Sequence, residues 1–226
     1  MESGKRNLEI AITGLLIASA VLFPSCNRSD IRLQEGDILF QDLLPDTFSN
    51  AIESVTSGAG NRNFSHCGLV VRKGNSLYVA EAIGEGVCLT PVDSFLARSG
   101  ERPSRKVRGG TYVHGGMPTV AVGRLLPEYM EAVPHACKKA EGYLGRPYDF
   151  PFLPGDSALY CSELIYECFR EYGIFHNSPM TFRRPGESSI SEEWTEYYGK
   201  LGLPVPEGVP GTNPGALSRS EKLRIL

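Results

Sequence analysis

Several things are missing from this chain, and each absence closes off a class of function. None of its 6 cysteines shows C-x-x-C spacing, so a zinc ribbon or thioredoxin-type site has no support. Histidine occurs only 4 times, and the scatter of His114, His135 and His176 offers no metal-ligand spacing. Basic charge is not in surplus: the net charge is −3, and nothing points to nucleic acid. The stretch Arg102, Arg105, Lys106, Arg108 reads as a solvated loop. The Ser57-Gly58-Ala59-Gly60 stretch lacks the lysine and strand–turn–helix context of a phosphate loop and reads as flexible. Internal repeats and low-complexity tracts are absent too. What remains is an ordinary globular composition, 41% hydrophobic and 22% charged, in 226 residues that suit one domain with a sizeable core.

The N-terminus differs from the rest. Lys5 and Arg6 precede a nearly uninterrupted apolar stretch from Ile10 to Phe23, too short to span a bilayer comfortably but right for a signal-peptide core. It closes on Phe23-Pro24-Ser25-Cys26, followed at once by polar Asn27-Arg28-Ser29-Asp30. A small residue before a cysteine at this point resembles a bacterial lipobox. The expectation is a lipoprotein-type signal over residues 1–26, with Cys26 carrying the lipid, a tether over 27–35, and an exported, membrane-anchored protein of the cell envelope. Export permits disulfides. Beyond Cys26, however, the count of cysteines is odd, and Cys67, Cys137 and Cys168 sit in apolar or helical contexts, so no disulfide framework is expected.

From residue 36 to 226 the pattern is that of one α+β domain. Gly36 to Gln41 reads as a first strand, and Thr47 to Ser54 as a short helix. Cys67 to Val71 and Leu77 to Ile83 form a hairpin around Gly74-Asn75. Val87 to Pro91 and Val120 to Leu126 are further strands, and Pro134 to Tyr143 is a helix with proline in its first turn. Cys161 to Tyr172 is the clearest helix. Leu164, Ile165, Cys168, Phe169 and Tyr172 make one apolar stripe, and Gly173 follows as the C-cap. The Pro/Gly-rich run from Pro204 to Gly215 reads as an irregular tail that wraps the domain.

Two segments carry chemistry. Ser65-His66-Cys67-Gly68 puts a histidine at the head of an apolar strand, and Tyr160-Cys161-Ser162-Glu163 puts a cysteine at a helix start. Unsatisfied N–H groups and the helix dipole favour an anion there, so a thiol at that place tends to ionise. His66 is the candidate base for a Cys161 nucleophile. With the hairpin turning between Gly74 and Asn75, Gly68 faces Glu81. Glu81 then shares a sheet face with His66 as a diagonal neighbour, able to orient the ring. A register slip of one residue would put it on the other face. Singly, each signal is ordinary: strand-end histidines and helix-start cysteines are commonly structural.

Together with Ala140-Glu141-Gly142-Tyr143-Leu144-Gly145-Arg146-Pro147-Tyr148-Asp149, these motifs resemble the nucleophile region of NlpC-type papain-like hydrolases. The histidine segment lies upstream of the cysteine, as in the circularly permuted, YiiX-like branch, which is related to lecithin:retinol acyltransferase-like proteins. The resemblance implies a permuted papain-like α+β fold, with a small antiparallel sheet packed against the nucleophile helix. It implies Cys161 as nucleophile, His66 as base, Glu81 as the group orienting it, and Tyr160 lining the pocket or helping hold the oxyanion. It implies no metal and no organic cofactor. The expected activity is hydrolysis of amide bonds in peptides, peptidoglycan stem peptides first. The alternatives are thioester or acyl transfer chemistry on lipid or acyl-amide substrates, and a catalytically silent binding lipoprotein.

Overall fold

The structure, a computed structural model, describes residues 30–226 except Arg108 and Asp156. The expected signal segment, residues 1–26 with Cys26, therefore lies outside the described residues.

In chain order the elements are β1 (Ile31–Arg32), β2 (Ile38–Gln41), α1 (Thr47–Val55), β3 (His66–Lys73), β4 (Ser76–Ile83), β5 (Gly86–Pro91), α2 (Val92–Ala97), β6 (Arg105–Val107), β7 (Gly110–Val113) and β8 (Val120–Leu125). They continue with α3 (Ala132–Gly142), α4 (Cys161–Phe169), β9 (Ser178–Pro179), α5 (Glu192–Leu201), β10 (Pro210–Gly211), α6 (Pro214–Ser218) and β11 (Leu223–Ile225). The main sheet has six strands in the order β11-β8-β2-β3-β4-β5, every neighbouring pair antiparallel. This mixed, largely segregated arrangement is α+β.

Side chains of the sheet alternate between two cores, as a pleated strand requires. Ile38, Phe40, Cys67, Leu69, Val71, Ala80 and Ala82 face α3 and α4. Leu39, Val70, Leu77, Val79, Val120 and Val122 face α2, with Phe95 and Leu96 against them. In α4 the stripe Leu164, Ile165, Cys168, Phe169 is fully buried, each large apolar side chain contributing about 1.5–3 kcal/mol. The helix is shorter than expected. It gives way after Phe169 to a 3₁₀ turn over Arg170–Tyr172, capped by Gly173 at φ +56°, and Tyr172 leaves the stripe to become exposed. A third, aromatic core joins α1 and α5 through Phe48, Phe152, Phe182, Trp194 and Tyr198.

The β3–β4 hairpin sets the geometry of everything that follows. Gly74, the first of two turn residues, takes φ +58°, a conformation open to glycine without strain. The resulting register pairs Leu69 with Ala80 and Val70 with Val79, which is the register read from the sequence.

Three segments differ from their sequence reading. Residues Arg105–Val107 are an edge strand pairing with β7, exposed as expected but not a loop, and Arg105 pairs with Asp30. Gly58, in the stretch read as flexible, is packed so closely that a Cβ would lie 2.4 Å from the Phe64 ring. Within the expected tether, Ile31–Arg32 pairs with β7 and Leu33 is buried. The C-terminal tail does wrap the domain, but it adds α6 and ends as β11, an edge strand of the main sheet.

Candidate active site

His66 is the first residue of β3, so its ring stands at the end of the sheet where the N-terminus of α4 arrives. Its Nε2 lies 2.6 Å from Glu81 Oε2. Gly68 opens the space between them: a Cβ there would lie 2.4 Å from Val79 Cγ1 and 3.3 Å from Glu81 Cβ. With Nε2 engaged, Nδ1 is the nitrogen left to serve Cys161, whose proximity helps raise the imidazole pKa. Cys161, His66 and Glu81 are thus brought together, all three buried.

Two residues the sequence reading passed over join them. Glu81 is fully buried, and a carboxylate in that position is costly unless paired. Arg98, just after α2, supplies the pairing: its Nη2 lies 2.5 Å from Glu81 Oε2, while its guanidinium sits over the Phe95 ring. Gln41 of β2 pins the same helix, donating from Nε2 to the Phe95 carbonyl. The second residue is Cys67. Because neighbours on a strand point to opposite faces, His66 faces α2 while Cys67 faces α4 and meets Cys161.

These contacts decide the charges. Hydrogen bonding from the Cys67 thiol holds Cys161 well below the usual thiol range, with burial opposing and the His66 contact adding to the depression. Burial pushes the Cys67 thiol up, and the adjacent Cys161 sulfur pushes it further, so Cys67 keeps its proton and acts as donor. Burial alone would lower His66, but Cys161 and Glu81 outweigh it and raise the imidazole to about 9. Burial would likewise raise Glu81, yet His66 and Arg98 hold it at about 2. At neutral pH the arrangement is a thiolate, an imidazolium, a carboxylate and a guanidinium, alternating in sign and neutral in sum.

Tyr160 lines the cavity that Cys161 also lines, with its hydroxyl accepting from the Thr212 N–H at 3.1 Å. The cavity, about 310 Å³, is mostly apolar, walled by Ile52, Val55, Phe152, Met180, Phe182 and Trp194, with Arg219 the one charged lining residue among the described residues. His114 and His176 are exposed, and His135 pairs with Glu171 at 3.4 Å, all far from this chemistry in character. Cys67, Cys88, Cys137, Cys161 and Cys168 are all free thiols.

A histidine-bearing strand placed ahead of the cysteine-bearing helix, on an antiparallel sheet, defines the permuted papain-like class of proteins. The family of permuted papain-like amidases, YaeF/YiiX or C92, matches residues 32–226, and the chain belongs to that family. It is 32% identical over 179 residues to the uncharacterized protein YiiX of Escherichia coli (strain K12), an overlap covering 78% of each chain. The crystal structure of metalloprotein yiiX from Escherichia coli O157:H7 superposes with a TM-score of 0.64 at 26% identity, covering 85% of this chain and 96% of that one. Among the described residues of this chain, no group of three or more His, Cys, Asp or Glu side chains is placed to hold a metal ion.

Proposed function

We propose that this member of the amidase family is a cysteine hydrolase that cleaves amides of apolar acyl groups through a thioester intermediate, with Cys161 as nucleophile, His66 as acid and base, and Glu81 as the group holding the imidazole. The Cys161 thiolate adds to the amide carbonyl carbon, a C–S bond forms, and the C–N bond breaks as His66 delivers its proton to the leaving nitrogen. Water then attacks the thioester, His66 takes the proton, and the acid departs from the restored thiolate. The alternating charges supply this without outside help: the base is already protonated and the nucleophile already ionised.

The observation that carries the substrate class is the wall of the cavity. Peptidoglycan stem peptides, the first expectation from sequence, are rich in carboxylates and ammonium groups, and a site for them needs matching charges. Among the described residues, the groove beside Cys161 offers Arg219 alone among charges, with a wall dominated by aromatic and aliphatic side chains and interrupted by uncharged polar groups such as Thr56, Thr181 and Asn213. That supports an acyl chain or similarly apolar group, the lipid-like alternative, over a stem peptide. The N-terminal sequence supports placing the enzyme in the cell envelope, held by a lipid on Cys26.

The test is to incubate the protein separately with muropeptides, with N-acyl amides and with acyl-glycerolipids, following products and acyl–Cys161 adducts by mass spectrometry. Cleavage of the acyl amides with a thioester at Cys161 is expected. Turnover of muropeptides alone would reinstate the peptide reading, and an unmodified Cys161 under every condition would refute both.

A further inference from the structure

Thr212 lies 51 positions beyond the nucleophile, yet both residues flanking Cys161 hold it. The Tyr160 hydroxyl accepts from the Thr212 N–H at 3.1 Å, and the Ser162 hydroxyl donates to the Thr212 carbonyl at 3.2 Å. The neighbouring chain is fixed as well. β10 ends at Gly211, where a Cβ would lie 2.5 Å from the Met180 sulfur. α6 begins after Asn213, whose Oδ1 accepts from the Ala216 N–H at 2.7 Å. A Cβ on Gly215 would lie 2.4 Å from the Ser57 carbonyl. Thr212 is therefore clamped from four directions, its backbone N–H and C=O both used.

Its side chain is not used. Thr212 is 4% exposed, and Oγ1 is buried with no hydrogen-bond partner. The residue lines the same cavity as Cys161, Tyr160 and Ser162. A buried hydroxyl left without a partner is unfavourable, and a rigid one in the wall of the cavity that Cys161 also lines is a donor waiting for an acceptor that arrives with the substrate. In a mostly apolar wall, this hydroxyl belongs to a residue that is hydrogen-bonded to both neighbours of the nucleophile, and the polar atom of an acyl substrate brought to Cys161 is the carbonyl oxygen.

Resting on the acyl-enzyme reading above, we propose that Thr212 is a catalytic residue whose hydroxyl donates a hydrogen bond to the substrate's carbonyl oxygen as that oxygen becomes an oxyanion. The thiolate adds to the carbonyl carbon, the π pair moves onto oxygen, and Thr212 Oγ–H together with first-turn N–H groups of α4 holds the negative charge. The pair returns as the C–N bond breaks, and the leaving nitrogen takes the His66 proton. Thr212 loses no proton in the cycle.

The experiment compares the parent with Thr212→Val and Thr212→Ser in hydrolysis of p-nitrophenyl octanoate and in alkylation of Cys161 by iodoacetamide, a displacement that forms no oxyanion. Valine keeps the shape and both backbone bonds, so a fall of about 10²-fold in kcat/KM for the ester is expected, the size typical of a lost oxyanion donor. Alkylation should stay within about twofold in both variants, since neither alters the thiolate, and serine should restore most of the hydrolysis, since it keeps the donor hydroxyl. Hydrolysis by Thr212→Val within about threefold of an active parent would overturn the role alone, being far below the loss of a donor. A parallel fall in alkylation would overturn it too, marking the residue as structural. A parent that is alkylated at Cys161 but hydrolyses no ester would instead overturn the hydrolase reading, and this role with it.

Discussion

The two ends of α4 each bury a cysteine, and the two thiols are driven in opposite directions. Cys168, in the last turn, is surrounded by the apolar core, and burial pushes its pKa up. Cys161, at the first residue, is almost as deeply buried but is held well below the usual thiol range by Cys67 and His66. Burial is common to both and so cannot explain the difference. The helix N-terminus adds a field that favours an anion at one end and not at the other. The larger part is the set of partners: a donor thiol, an imidazolium, and behind it Glu81 and Arg98. Cys137, from α3, follows the Cys168 pattern and is pushed up to about 12 by burial. Reactivity in this protein is a property of place within one helix.

Breaking the contrast at its source gives the largest effect. Cys161→Ala should abolish hydrolysis altogether in a substrate assay, and His66→Ala should cost about 10³-fold or more, as loss of a base in such a unit does. Next comes Glu81→Gln, which keeps the shape but removes the charge behind His66. A loss of about 10²–10⁴-fold in kcat/KM is expected. The pH profile should change with it. In the parent, activity falls as pH rises through about 9, where His66 loses the proton it gives to the leaving group. In Glu81→Gln that limb should move to lower pH. The sign for stability follows the same group. His66 is raised when folded, so its stabilising contribution is complete below its ordinary value of 6.5 and disappears as pH climbs through about 9.

Arg98→Gln acts one step further back. With the guanidinium gone, Glu81 is easier to protonate and the ring is less firmly held, and a loss of about tenfold is expected, recovered in part by Arg98→Lys. A pH profile identical to the parent's would show that Arg98 only supports the fold. Smallest on activity is Cys168→Ala, the control at the other end of the helix. It should lower stability by about 1–2 kcal/mol in denaturant titration, as a small deletion in a packed core does, and leave hydrolysis unchanged.

How much of this the chain revealed in advance depends on how local each feature is. The hairpin was readable because Gly74-Asn75 fixes its turn and a period of two does the rest. His66, Gly68 and Glu81 follow from that register. The Cys161 helix was readable from its apolar stripe, up to the point where the stripe left Phe169. Arg98 was not, because α2 starts directly after Pro91 with no break to announce it. Cys67 looked like a core residue by composition, which it is; only the approach of α4 gives it a second role. The groove is assembled from α1, the loop before α4, the α5 region and the tail. No single stretch carries its pattern, so its apolar character and the clamping of Thr212 emerge only once those distant pieces meet. The signal for α5 was present in the spacing of Trp194, Tyr197 and Tyr198, overshadowed by the Pro/Gly-rich sequence after it.

The central claim is that Cys161 alone among the free thiols is ionised at neutral pH because His66 and Cys67 stabilise it. The most direct measurement is iodoacetamide labelling across pH, quantified for each cysteine by peptide mass spectrometry in the parent and in His66→Ala. The account predicts that Cys161 is modified far faster than Cys67, Cys88, Cys137 and Cys168 at neutral pH, and that the preference collapses in His66→Ala. Equal labelling of Cys161 and the solvent-accessible Cys88, or a preference that survives the loss of His66, would contradict it.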